Sequence, residues 1–184
     1  DRVEALVDEV KRHVTELLKT AERLADEVRE HVDDVRKKSK ELVDEIRRVV
    51  EKILDEVRKK KDDKDRLKKL KEDLKRLVEE IRRTNKELNE SNKKLLDRIR
   101  ETAKKMEESN RRLLEEIEKK LKDAPEEVVR ELRRVLRESN EELKKVVTEL
   151  EERLKDSNEE VKKASAEVRK VLEEVRADVD REVK

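Results

Sequence analysis

Apolar residues recur along this chain at spacings of 3, 4, 3, 4 and 4, and the cycle repeats three times in each of three stretches. The first stripe runs from Val3 to Val57, the second from Leu67 to Leu121 and the third from Val129 to Val183. One cycle completes five turns at about 3.6 residues per turn, the pitch of a straight α-helix. A heptad repeat at 3.5 would drift and impose a left-handed supercoil. The pattern therefore predicts three nearly untwisted helices over about 2–60, 64–122 and 125–183, each about 85 Å long at ~1.5 Å per residue.

Nine of the inward positions are polar, and they fall into three sets: His13, Asn110 and Ser139; His31, Asn92 and Ser157; Ser39, Asn85 and Ser165. The first two numbers of each set add to 123, 123 and 124, and the last two to 249, 249 and 250. A near-constant sum is what antiparallel helices joined by tight turns must give. The expected fold is an all-α, antiparallel three-helix bundle, up-down-up, in one domain spanning 1–184, with three buried polar layers. Burying a polar group without a partner costs several kcal/mol. The imidazole, amide and hydroxyl groups of one layer are therefore expected to hydrogen-bond one another. Such layers fix which helices pair and at which register, because a slip leaves buried groups unpaired. Asn89, Asn140 and Asn158 lie one position or more off the inward line, and the pattern leaves their burial open.

Turn chemistry falls where the sums place the chain reversals. Lys60–Asp65 is expected to close the first hairpin, with Asp62 or Asp63 as helix cap. Lys122-Asp123-Ala124-Pro125-Glu126 is expected to close the second. There Asp123 can accept from free N–H groups of the next turn, and Glu126 sits at capping-box spacing. Pro125 is the only proline and is expected in the first helical turn, where its missing N–H costs nothing. The flanks of the stripes agree with closure. Helix one adds Val7, Val14, Leu18, Val32, Val43, Val50 and Leu54 just after core positions, and helix three adds Val128, Val135, Val146, Ala164 and Val171 just before them. In a parallel pair these flanks face each other.

The composition narrows the classes of function. Of 184 residues 57% are charged, and there is no Gly, Cys, Phe, Tyr or Trp. Natural domains average about 25% charged residues and about 7% Gly. Low hydrophobicity often signals disorder, but the net charge is only +1 and the apolar residues are strictly periodic. Without Cys there is no disulfide or thiolate chemistry. No stretch approaches the ~18 apolar residues of a membrane span, and no targeting signal is visible. A soluble chain is expected, cytoplasmic if expressed in bacteria, and one opening on Asp1 rather than Met is expected to have been trimmed. Residues 61–122 hold 22 basic and 16 acidic side chains, against 16 and 17 in 1–60 and 15 and 19 in 123–184. A basic middle helix favours packing between two acidic-leaning ones. It is not read as a nucleic-acid stripe, because acids are interspersed and no aromatic stacking platform exists.

Candidate chemistry centres on the two histidines. His13 and His31 lie about 27 Å apart along one helix at ~1.5 Å per residue and cannot share a metal. Neither layer offers an inward carboxylate or second imidazole, whereas zinc sites usually use four Cys, His or Asp/Glu ligands. Ser139 and Ser157 are level with the histidines but have no Gly-lined oxyanion hole and no inward Asp to orient the ring. No Gly-rich phosphate loop is present. The expectation is no enzyme, no cofactor, and no catalytic, cofactor-binding or metal-binding residue.

The 18-residue layer repeat, the His13/Asn110/Ser139 type of layer and the Gly-free, aromatic-free, Glu/Lys/Arg-saturated surface resemble de novo computationally designed helical bundles, generated parametrically and given buried hydrogen-bond networks. The resemblance spans essentially the whole chain and is specific to a design style. It implies a structural scaffold without an evolved substrate, monomeric or in programmed assembly, needing no partner. Spectrin-type repeats and exchangeable apolipoproteins are the nearest natural comparison, but this chain lacks their aromatic residues. The alternative expectation is a helix-binding interaction module, a self-assembling oligomer or switchable cage, that uses the Val/Leu-rich flank of helix one.

Overall fold

Runs rich in Leu, Glu, Lys and Arg, the better helix formers, form three long helices in the computed structural model. They are α1 (Arg2–Arg58), α2 (Lys64–Lys120) and α3 (Glu126–Val183). The structure describes residues 2–59 and 64–183, and within them the side chains of all but 64, 66, 67 and 178–183. The side chains of Leu67, Val179 and Val183, and the caps expected at Asp62 and Asp63, lie outside the described residues. Among those described there is no strand, and the chain is an all-α three-helix bundle. α1 and α2 each end two residues before the expected boundary, within the usual fraying of a last turn.

Helices this long are stabilised chiefly by burying an apolar face, and the buried face is the predicted one. Among the described residues, every buried apolar side chain except Val50 lies on the 3-4-3-4-4 stripes. Val50 belongs to the flank of α1. It is buried beside Ile46 and Ile53, with Val171 of α3 packed against the same cluster, while its stripe neighbour Val49 is only half-buried. The rotation reflects packing of this flank against α3. Of the other flank residues, Val7 and Val14 pack on one core cluster and Val43 and Leu54 on another, whereas Leu18 stays 49% exposed.

The three helices contribute to two compact units, one of Asp1–Glu30 with Lys94–Leu154 and one of His31–Lys93 with Lys155–Lys184. In the first unit, Leu6, Val10, Leu113, Ile117, Leu121, Leu132 and Leu136 form one cluster, and Leu17, Ala21 and Leu143 form another. The layer of His13, Asn110 and Ser139 falls between them in sequence height. In the second unit, the small cluster Val35, Leu88 and Val161 lies between the other two polar layers. Beyond the third layer a larger cluster gathers Ile46, Val50, Ile53, Ile81, Val168 and Val175.

The α2–α3 connection is made by backbone groups. The carbonyl of Pro125 accepts from Val128 N–H at 3.1 Å and Val129 N–H at 3.4 Å, and Ala124 N–H donates to Leu121 O at 3.2 Å. Pro125 therefore sits at the cap itself, one residue earlier than expected. Asp123 makes no capping hydrogen bond among the described residues, because it lies two residues before the cap position, which Pro125 occupies.

Candidate functional site

The polar layers are the only sites the sequence singles out, and each is held by side chains projecting from the helix stripes. In the first unit, His13 Nε2–H donates to Asn110 Oδ1. Asn110 is 3% exposed. Ser139 does not join this pair. Its hydroxyl donates to the Leu136 carbonyl of its own helix at 2.9 Å, a local bond that short hydroxyl side chains readily make. Asn110 Nδ2 and Asn140 Oδ1 are both buried without a hydrogen-bond partner among the described residues.

In the second unit the layer is a chain of bonds across all three helices. His31 Nε2–H donates to Asn92 Oδ1, and Asn92 Nδ2–H donates to Asn158 Oδ1 at 2.6 Å. Asn92 is 1% exposed, while His31 and Asn158 are half-buried. The third-helix member is thus Asn158, not Ser157, whose Oγ is buried and unpartnered. An Asn reaches further from the backbone than a Ser, so the residue one position off the inward line can reach the α2 amide. In the third layer, Asn85 Nδ2–H donates to Ser165 Oγ, and Ser39 Oγ remains without a partner among the described residues.

The first two layers repeat one arrangement of residues in the sequence. His13 and His31, Asn110 and Asn92, and Asn140 and Asn158 are each separated by one full cycle of the stripe. That spacing was the available signal for Asn158, which the inward line alone misses.

Chemically, each histidine presents an N–H to an amide oxygen, and none of the hydrogen bonds made by these layers involves a carboxylate. Among the described residues, no group of three or more His, Cys, Asp or Glu side chains is placed to hold a metal ion, and no helix is long and apolar enough to cross a membrane. Charges outside the layers pair on the surface. The most complete pair is Arg36 with Glu160, whose guanidinium Nε lies 3.0 and 3.3 Å from the two carboxylate oxygens. That hydrogen bond and the charge of Glu160 raise the Arg36 pKa above its already high ordinary value. Arg47 pairs with Glu167 on the same two helices.

No protein-family model matches the chain, and no curated protein does. Among solved structures, it is similar to a "Computationally designed three helix bundle", at 20% identity and a TM-score of 0.40, with 100% of this chain and 85% of that one covered.

Proposed function

We propose that this chain is a designed, non-catalytic structural scaffold whose buried polar layers specify helix pairing and register. The observation that carries the reading is the His31–Asn92–Asn158 chain of hydrogen bonds, which joins α1, α2 and α3 at one height through a buried amide. Designed origin is supported by the strict 3-4-3-4-4 cycle and by a composition without Gly or aromatic residues.

The layers act on alternative registers rather than on overall strength. Apolar stripes that repeat so regularly would pack almost as well after a slip by one cycle. A slip that separates Asn92 from its partners leaves a buried amide unsatisfied, at about 1–3 kcal/mol. The layers are also unevenly spaced. His31 follows His13 by one full cycle, whereas Ser39 follows His31 by less than half of one. One register alone brings all three sets level.

The test is a variant with all nine inward layer residues replaced by Leu, compared with the parent by amide NMR. The reading expects one set of resonances for the parent and several for the variant. A single, parent-like set from the variant would remove the specifying role from the layers.

A further inference from the structure

One face of the second unit is left unfinished by its own helices. Between α2 and α3 run two cavities of about 460 and 640 Å³ that share Val78, Arg82 and Leu172, and so form one continuous groove. Its floor is apolar where Leu74, Val78 and Ile81 of α2 face Val168, Leu172 and Val175 of α3, and polar towards Lys93, where Asn85, Asn89 and Ser165 line it. Leu172 is only half-buried, although Leu154 and Leu136, one and two cycles away on the same stripe, are 1% exposed. Leu70, Leu74 and Leu77, inward by pattern, are half-buried too.

The rim of this groove is basic. α2 supplies Lys71, Lys75, Arg82, Lys86 and Lys93, and α3 supplies Arg169 and Arg176, against two carboxylates, Glu79 and Glu90. None of these seven cations forms an ion pair among the described residues. The helix-joining pairs of this unit, Arg36–Glu160 and Arg47–Glu167, lie between α1 and α3. From Lys71 to Lys93 the groove runs about 33 Å at ~1.5 Å per residue.

The geometry points to this groove as a docking site for a separate amphipathic helix that carries acidic residues on both flanks of its apolar face. A trench between two helices takes a third helix by its i, i+3, i+4, i+7 anchors. The anchors would cover the half-buried leucines, and the acidic flanks would meet cations that form no ion pair among the described residues. The complementarity sets orientation and partner choice more than raw affinity. A nucleic acid fits less well, since the apolar part of the floor is aliphatic and offers no aromatic surface for stacking bases.

The experiment is a fluorescence-anisotropy titration of the full chain with three labelled peptides of about 22 residues, the groove's length in helical rise. The first has Leu at helical spacing with Glu flanks, the second has Lys in place of Glu, and the third scrambles the first. Saturable binding of the first is expected, with the other two roughly tenfold or more weaker. The Arg82→Glu/Arg169→Glu variant, altered only at exposed positions and checked for unchanged helicity, should weaken the first peptide by roughly tenfold or more. No binding, equal binding of the scrambled peptide, or an unaffected variant would overturn the proposal. So would a DNA duplex that displaces the first peptide at lower concentration than the unlabelled peptide does.

Discussion

Truncating Asn92 to Ala removes the centre of the second layer and leaves its neighbours in place. Asn92 is 1% exposed and takes part in two hydrogen bonds, one accepted from His31 and one donated to Asn158 at 2.6 Å. Each is worth about 0.5–1.5 kcal/mol net of the water it replaces. The partners left behind are half-buried. They can turn towards water, so the full penalty of about 1–3 kcal/mol for a buried unsatisfied group does not fall on either. The expected loss is about 2–3 kcal/mol, taking both bonds together with a small void. The triple variant His31→Leu/Asn92→Leu/Asn158→Leu removes every partner at once. It should lie within about 1 kcal/mol of the parent, or above it, because apolar replacement leaves nothing unsatisfied. Guanidinium titrations followed by far-UV circular dichroism give both values, provided the slope with denaturant is unchanged. A cost below about 0.5 kcal/mol for Asn92→Ala, the range of an ordinary surface substitution, would mean that the two bonds stabilise nothing. A triple variant no more stable than the single one would sink the distinction between unpaired and absent polar groups.

Four further outcomes follow from burial and pairing. Ile99, at 0% exposed, should cost about 2–5 kcal/mol when cut to Ala, whereas Leu18→Ala, at 49% exposed, should cost far less, both by denaturant midpoint. Val50→Thr should destabilise more than Val49→Thr, since only Val50 is buried; equal midpoints would place the α1 stripe back on Val49. The Arg36–Glu160 pair is exposed, so Arg36→Ala should shift the midpoint only at low salt, the difference vanishing as salt is raised. Because the folded pKa of Arg36 is raised, its contribution is present below the unfolded value and is lost only as pH rises through the folded one, far into the alkaline range. The effect of Arg36→Ala should therefore be the same at pH 7 and pH 9, which paired titrations would check.

The helices and their buried faces were legible because one period, about 3.6 residues, decides both which residues face inward and where the stripes break. The chain reversal at Pro125 was legible for a similar reason, since proline cannot sit inside a helix. What periodicity cannot supply is reach and competition. It assigns an angle to Ser157 and Asn158 but not the length of their side chains, and the longer Asn158 takes the Asn92 amide. It places Ser139 level with His13 but cannot tell that the hydroxyl bonds the Leu136 carbonyl instead. At Val49 and Val50, adjacent residues about 100° apart on the helix, packing against α3 decides which is buried. The basic groove between α2 and α3 was visible only as a charge excess in 61–122. Its apolar floor comes in part from α3, a stretch far away in the chain.

Whether the polar layers set the register of the helices can be read by trapping that register. In the alignment that brings His13 level with Asn110, Thr102 lies within one residue of level with Thr20, and Thr84 lies one full cycle away from that position. Cysteines at 20 and 102, or at 20 and 84, can be joined by a short bis-maleimide in the parent and in the variant with all nine layer residues replaced by Leu. If the layers hold the register, only the 20/102 pair cross-links in the parent, and both pairs do in the variant. Cross-linking confined to 20/102 in both proteins would mean that the apolar stripes and turns set the register without the layers.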